Sequence, residues 1–171
     1  MEKRLRAQVA IVTGASRGIG RAISVALADE GATVVLAARA LEKLRETAEQ
    51  VRRAGGNAEI VATELTEEES IKNLVKAASD KFGRLDILVN NAGVTHSARL
   101  EQTATAEWDR CHQVNARAPF ILCREALPLL RKAESAYIVN IASVVGVQGL
   151  SASKCVHSIK ARPARDDNIV S

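Results

Sequence analysis

Three glycines follow a short apolar run near the start of the chain, and their spacing suits a turn that holds an anion. Residues 9–12 (VAIV) are typical of a strand buried on both faces, and Gly14, Gly18 and Gly20 follow as Gly-x-x-x-Gly-x-Gly. Apolar residues at helical spacing begin at Ile19, so the turn leads directly into a helix. The first N–H groups of a helix are unpaired, and glycines let the backbone approach a pyrophosphate closely. The segment therefore predicts a phosphate-binding turn; a plain strand-to-helix turn is the alternative.

Two arginines lie where they could contact the ribose end of such a ligand. Arg39 comes nineteen residues after Gly20, close to the distance at which a dinucleotide fold places the residue that contacts the adenosine ribose. A carboxylate there accepts from a 2′-hydroxyl, whereas a planar, permanently charged guanidinium suits a 2′-phosphate. Arg17, inside the glycine turn, adds a second positive charge. The pattern favours a phosphorylated dinucleotide; the alternative is that both arginines are plain surface charges.

The elements that must position these residues alternate between strand and helix patterns. Helical patterns separate five short segments of strand character, which are residues 9–12, 33–37, 58–62, 86–89 and 137–141. The last helical pattern before the fifth strand is long and runs from Trp108 to about Arg131. This alternation predicts an α/β fold, a doubly wound parallel sheet of the Rossmann-like kind with strand order 3-2-1-4-5.

The composition argues against several classes of function. The 24 basic residues are scattered and have no interleaved aromatic residues, so we expect no nucleic-acid partner. Residues 1–7 (MEKRLRA) lack the apolar core of a signal peptide, and no stretch reaches the length of a membrane span, so we expect a cytoplasmic protein. Cys111, Cys123 and Cys155 have no metal-ligand or redox spacing, which indicates reduced thiols and no metal site.

Two segments stand in the chain as known motifs. TGASRGIG occupies residues 13–20, and NNAG occupies residues 90–93, after the fourth predicted strand. On these segments the chain resembles the short-chain dehydrogenase/reductase family, in particular its members that reduce 3-oxoacyl groups on acyl carrier protein and other carbonyl compounds. The resemblance covers about residues 5–157. It implies NADP(H) as cofactor, a small carbonyl or alcohol substrate, and pairing into a homo-oligomer through the helix that carries Trp108 and the helix after Ser143.

The resemblance also implies a set of cofactor-binding residues. They are Gly14, Ser16, Arg17, Gly18, Ile19, Gly20, Arg39, Glu64, Leu65, Asn91, Ala92, Gly93 and Lys154. In the family, the residues at Glu64 and Leu65 contact the adenine, but the first is usually aspartate. A solvated carboxylate at a strand end is the alternative for Glu64.

Asn115 and Ser143 match two catalytic positions of the family. Asn115 lies four residues before Pro119, which cannot donate to the Asn115 carbonyl, so we expect a helix kink and a free acceptor there. In the family, the matching asparagine holds a water in a proton relay; the alternative is a helix-interior asparagine with its side chain in solvent. Ser143 follows the fifth strand and matches the serine that hydrogen-bonds the substrate carbonyl. The alternative for Ser143 is an ordinary turn serine.

The third catalytic position departs from the family. The family's acid is the tyrosine of a Tyr-x-x-x-Lys helix turn, whose lysine lowers the tyrosine pKa and binds the nicotinamide ribose. Residues 150–154 read LSASK, so Lys154 matches the lysine while Leu150 stands at the tyrosine position. Tyr137 lies in the fifth strand and is not a substitute. We therefore expect an NADPH-dependent oxidoreductase with weak or no activity. The alternatives are a non-catalytic NADP(H)-binding isoform or partner of a full-length relative, and a fragment that does not fold stably.

The end of the chain also differs from the family. The sequence turns polar after Lys154 and breaks at Pro163, whereas the family continues with a further strand, helix and strand. We expect an incomplete Rossmann-like domain over residues 1–157, truncated at its C-terminal side, and a polar irregular tail over residues 158–171. An altered reading frame, a spliced isoform and a faulty gene model would each produce such an ending.

Overall fold

A parallel sheet forms the centre of the molecule in the computed structural model, which describes residues 3–96 and 98–143. Its five strands lie in the order β3-β2-β1-β4-β5, which confirms the predicted order. The strands are β1 Val9–Thr13, β2 Thr33–Ala38, β3 Asn57–Ala62, β4 Ile87–Asn90 and β5 Tyr137–Asn140. The helices are α1 Gly18–Asp29, α2 Leu41–Arg53, α3 Glu68–Phe82, α4 Thr105–His112 and α5 Ala118–Leu130.

Alternating side chains of each strand pack on opposite faces of the sheet, because the side-chain period of a strand is two. Ile11 of β1 belongs to a buried cluster with α3 and α5, whereas its neighbours Ala10 and Val12 belong to a second cluster with α1 and α2. All three residues are fully buried. Helices on both faces explain why β1 and β2 read as continuous apolar runs rather than as alternating ones.

The segment between β4 and β5 differs from the single long helix that the sequence predicts. A 3-10 turn, Leu100–Gln102, precedes α4, and a π-helical turn, Gln113–Arg117, joins α4 to α5. The Ala118 N–H donates to the Gln113 carbonyl five residues back, which is the π-helical register. The expected irregularity near Asn115 is therefore present, as one wide turn before Pro119. No helix within the described ranges is long and apolar enough to cross a membrane.

The strand order places an opening at the carboxyl edge of the sheet. β1 pairs in register with β2 on one side and with β4 on the other. The connections that leave β1 and β4 therefore diverge to opposite faces, and a crevice forms between them outside the strand ends. β5 lies at one edge of the described sheet, and Tyr137, Ile138 and Val139 are each more than a third exposed.

Candidate functional site

An open cleft of about 780 Å³ lies at the carboxyl ends of β1 to β4. Every residue that the resemblance assigned to cofactor binding and that the structure describes lies in its wall: Gly14, Ser16, Arg17, Gly18, Ile19, Gly20, Arg39, Glu64, Leu65, Asn91, Ala92 and Gly93. Lys154 lies outside the described residues, as does Leu150. The sequence therefore predicted one side of a common cleft from segments that are up to 79 positions apart.

The glycine turn after β1 is bonded to the segment after β4. The Thr13 hydroxyl donates to the Val89 carbonyl at 3.2 Å and accepts from the N–H groups of Asn91 and Ala92, each at 3.1 Å. The Asn91 Nδ2 donates back to the Thr13 carbonyl at 2.9 Å. These bonds join two strand ends that form the floor of the cleft, so the amide of Asn91 has a structural role in the turn.

Two glycines of the turn are required for different reasons. A Cβ on Gly20 would stand 2.3 Å from the Gly14 carbonyl oxygen and 2.5 Å from Asn91 Nδ2, so only glycine lets α1 approach the turn this closely. Gly18 is required by its backbone conformation, because φ is +55°, a value that residues with a side chain rarely adopt. A Cβ there would meet nothing within 4 Å, so the space beside Gly18 is open. Gly18 therefore presents bare backbone to the open cleft, which is the arrangement that a phosphate group needs at a helix N-terminus.

The charged side chains that line the described cleft are mostly cationic. They are Arg17, Arg39, Lys43 and Arg110, against the single carboxylate of Glu64. Arg39 Nη1 lies 3.5 Å from Glu64 Oε2, and the Arg39 side chain is 63% exposed. A guanidinium this accessible, held by one long ion pair, remains available to a stronger anion. The excess of positive charge suits a ligand with several phosphate groups.

Glu64 is held as a carboxylate at the rim of this cleft. Partial burial raises its pKa, but hydrogen bonds from the backbone and side chain of Thr66, with the charge and hydrogen bond of Arg39, outweigh burial and leave the pKa below its ordinary value. Glu64 Oε1 accepts from the Thr66 N–H at 3.0 Å, and the Glu64 N–H donates to the Ser70 hydroxyl at 2.9 Å. The segment that follows β3 is therefore fixed to the first turn of α3.

Asn115 lies beside the cleft, and its side chain does not reach solvent. The residue is 2% exposed, so the alternative of a solvated helix-interior asparagine is wrong. Its Oδ1 accepts from the Val94 N–H at 2.9 Å, and its Nδ2 donates to the Val94 carbonyl at 2.8 Å. The side-chain amide thus holds Val94, which lines the cleft, while Pro119 deprives the Asn115 carbonyl of its usual helical donor.

Ser143 follows β5 at the same edge of the sheet. The Ile141 N–H donates to the Asn90 carbonyl at 3.0 Å, and Asn90 Nδ2 donates to Asn140 Oδ1 at 2.9 Å. These bonds extend the β4–β5 pairing to within two residues of Ser143. The described wall of the cleft includes neither Asn115 nor Ser143.

Sequence reasoning missed several residues of the cleft. Lys43 lies in the first turn of α2, four positions after Arg39, and its closeness in sequence to that cation could have identified it. Arg110 and Gln113 are three positions apart on the segment from α4 into the π-helical turn, and both line the cleft. Their inward placement depends on how that segment crosses the sheet edge, for which the sequence carries no local signal.

Comparison with known proteins identifies the family of this chain. The profile of the family described as short chain dehydrogenase matches residues 8–158. An uncharacterized oxidoreductase of Staphylococcus aureus (strain MRSA252) is 37% identical over 154 residues, which are 90% of this chain and 66% of the relative. The chain thus spans slightly less than two thirds of the length of that relative.

Solved structures agree with this assignment. A metagenomic short-chain oxidoreductase in complex with NADP is 42% identical, with a TM-score of 0.83 over 88% of this chain and 68% of that one. An NAD⁺-bound xylitol dehydrogenase is 29% identical, with a TM-score of 0.83 over 88% of this chain and 58% of that one. From its turn sequence, its strand order and these matches, the chain belongs to the short-chain dehydrogenase family.

Proposed function

We propose that this chain binds NADP(H) in the cleft at the carboxyl edge of the sheet. We also propose that it transfers hydride between that cofactor and a small carbonyl or alcohol substrate. The observation that carries the proposal is the excess of cations over carboxylates in the cleft wall, next to a bare glycine turn at a helix N-terminus. The NADP complex of a relative that is 42% identical supports the same cofactor.

The residues of the cleft fit a phosphorylated dinucleotide. The N–H groups of the glycine turn would hold the pyrophosphate, because Gly18 leaves the backbone open there. Arg39, with Lys43 beside it, would hold the 2′-phosphate through charge-assisted hydrogen bonds. Glu64 and Leu65 would contact the adenine. Asn91, Ala92 and Gly93 would form the floor.

The chemistry of the site would be divided between the cofactor and a few side chains. When bound, NADP(H) supplies or accepts the hydride. Ser143 would donate a hydrogen bond to the substrate oxygen and so polarise the carbonyl. Because both polar atoms of the Asn115 side chain are used by Val94, any part of Asn115 in a proton relay would fall to its main-chain carbonyl. Lys154 would bind the nicotinamide ribose.

Leu150 determines the expected rate. Leucine has no proton to donate or accept, so at the family's tyrosine position it would leave proton transfer to water. Loss of general acid catalysis alone lowers rates by about 10² to 10⁴-fold. We therefore propose that turnover by this chain is weak. The same observation favours a second candidate, a non-catalytic NADP(H)-binding protein that acts as a partner of a full-length relative.

An assay that measures binding and turnover on one preparation separates these proposals. NADPH fluorescence is titrated first, and NADPH oxidation is then followed with a panel of small ketones. Saturable binding with slow oxidation supports the weak oxidoreductase, and saturable binding with no oxidation above the protein-free rate supports the non-catalytic candidate. Rapid oxidation would contradict the role assigned to Leu150, and absence of binding would contradict both candidates.

A further inference from the structure

Side chains hold four successive carbonyl groups of the glycine turn. Asn91 Nδ2 donates to the carbonyls of Thr13 and Gly14, at 2.9 and 3.4 Å. The next two carbonyls, those of Ala15 and Ser16, accept from side chains on α2 and α1. Buried turn carbonyls are usually paired with backbone or water, so side-chain donors to all four indicate that the orientation of each peptide plane is fixed.

Two residues outside the cleft supply the second pair of bonds. The Thr47 hydroxyl is fully buried and lies 3.0 Å from the Ala15 carbonyl and 3.0 Å from the Lys43 carbonyl one helical turn back, so its single proton is shared between these two acceptors. Arg21 Nη2 donates to the Ser16 carbonyl at 2.7 Å and to Glu46 Oε2 at 2.9 Å, and Arg21 Nε donates to the Thr47 hydroxyl at 3.0 Å. Thr47 and Arg21 therefore form one connected unit, which we call the carbonyl clamp.

The clamp determines where the adjacent N–H groups point. In a trans peptide the C=O and the N–H of the same unit point in opposite directions. The Ala15 carbonyl is held toward Thr47 of α2 and the Ser16 carbonyl toward Arg21 of α1, which directs the N–H groups of Ser16 and Arg17 away from those two side chains. Ser16 and Arg17 both line the cleft, and among the described residues neither N–H has an acceptor within hydrogen-bond distance.

We propose that Arg21 and Thr47 are positioning residues, which pre-orient the turn amides for the pyrophosphate of a bound dinucleotide. The inference rests on the proposed function, since it names how this chain prepares that site. Neither residue lines the described cleft wall, so each acts on the ligand through the turn. Bonds already made in the free protein reduce the cost of ordering the donors when the ligand binds.

The test compares a ligand that has a pyrophosphate with one that lacks it. NADPH uses the turn amides and the Arg39 end of the cleft, whereas adenosine 2′-monophosphate reaches only the Arg39 end. Thr47→Val removes the hydroxyl and keeps the shape and charge of the side chain, and Thr47→Ser keeps the hydroxyl. Dissociation constants are measured by fluorescence titration for NADPH and by calorimetry for adenosine 2′-monophosphate, with melting curves to establish folding.

We expect Thr47→Val to weaken NADPH binding about fivefold, the effect of one net hydrogen bond of about 1 kcal/mol, and to change the affinity for adenosine 2′-monophosphate less than twofold. Thr47→Ser is expected to restore NADPH affinity. Equal losses for the two ligands, or unchanged NADPH affinity in folded Thr47→Val, would overturn the clamp.

A second pair of variants keeps the test decisive if Thr47→Val does not fold. Arg21→Met removes the bonds to the Ser16 carbonyl and to Thr47, and Glu46→Gln removes only the ion pair on the exposed side of Arg21. The clamp predicts selective loss of NADPH affinity in Arg21→Met alone. Equal effects of the two variants would overturn it.

Binding of the two ligands by the wild-type chain distinguishes failure of the clamp from failure of the proposed function. Wild-type protein that binds neither ligand would overturn both proposals. Wild-type protein that binds both ligands, with variants that bind both equally well, would overturn the clamp alone.

Discussion

Arg39 and Glu64 face each other at the mouth of the cleft, 3.5 Å apart, and this pair connects the charge of single residues to cofactor choice. A 2′-phosphate that approaches Arg39 would meet the nearby negative charge of Glu64. The usual family residue, aspartate, is one methylene shorter. In the proposed NADP(H) site, Glu64 would therefore reduce the advantage that Arg39 would give to NADPH over NADH.

The first prediction concerns the repulsion between the Glu64 carboxylate and a 2′-phosphate bound at Arg39. Glu64→Gln is expected to increase NADPH affinity about 1.4- to fivefold, corresponding to an exposed ion pair of about 0.2–1 kcal/mol, and to leave NADH affinity unchanged within error. Titration of both nucleotides by fluorescence measures the ratio. Glu49→Gln is the matched control, because it makes the same charge change on α2 beside Arg53, away from the cleft lining. Weaker NADPH binding in Glu64→Gln would contradict the prediction.

The second prediction follows from the pKa of Glu64, which lies below its ordinary value in the folded protein. Folding then favours the carboxylate, so its contribution is complete above the unfolded pKa of about 4.3 and is lost as the pH falls through the lower folded pKa. We expect wild-type protein to be about 0.5 kcal/mol more stable than Glu64→Gln at pH 7. In melting experiments this difference should shrink as the pH falls below about 4.3 and disappear below the folded-state pKa; a difference that grows on acidification would be inconsistent with it.

At the scale of elements, the π-helical turn and the strand ends around it position the residues beside the cleft. The sequence predicted an irregularity there, because Pro119 lacks an N–H for the Asn115 carbonyl. It did not predict the direction of the Asn115 side chain, since the partner, Val94, lies 21 positions away and is brought close only by the tertiary fold.

The third prediction tests this contact. Asn115→Ala removes the partners of the Val94 N–H and carbonyl at a partly buried position, which we expect to cost about 2 kcal/mol of unfolding free energy. For a chain of this size the melting temperature should fall by about 4–8 °C. Gln113→Ala, an exposed neighbour in the same turn, serves as the control and should change stability by less than about 0.5 kcal/mol. Equal melting temperatures for the two variants would contradict the role of Asn115.

At the scale of elements, most of the fold but only part of the cleft could be predicted from the sequence. The five strands were predictable because each is a short apolar run bounded by turn residues, and their order follows from alternation with helices. The cleft wall was predictable where motifs mark it, at residues 13–20 and 90–93. Arg110 and Gln113 were not, because their position depends on packing between α4, the π-helical turn and the sheet edge. The bonds of Thr47 to Ala15 likewise have no sequence signature, since a threonine inside a helix pattern has many uses.

At the scale of the whole molecule, α4 and α5 expose large apolar side chains. Trp108 is 42% exposed, Phe120 63% and Leu127 37%, and the last two lie seven positions apart on one face of α5. Exposed apolar side chains that recur on one helix face are typical of an interaction surface. Family members often pair through this helix, so we propose that this chain pairs there as well.

The fourth prediction concerns that surface. Light scattering after size exclusion should give a dimer or larger assembly for the wild-type chain at tens of micromolar. Phe120→Asp should shift it toward the monomer, because a charged carboxylate would have to lose its hydration in an apolar interface. Lys76→Asp, an exposed change on α3, is the control and should leave the assembly unchanged. A wild-type monomer at that concentration would rule out pairing through α5.

The central claim is that the cleft at the carboxyl edge of the sheet binds a phosphorylated dinucleotide. Parallel fluorescence titrations of the wild-type chain with NADPH and with NADH test it most directly. We predict saturable NADPH binding that is about tenfold tighter than NADH binding, because charge-assisted hydrogen bonds to a 2′-phosphate contribute about 1.5–3 kcal/mol and Glu64 offsets part of this. No saturation by either nucleotide at high micromolar concentration, or NADH binding as tight as NADPH binding, would contradict the claim.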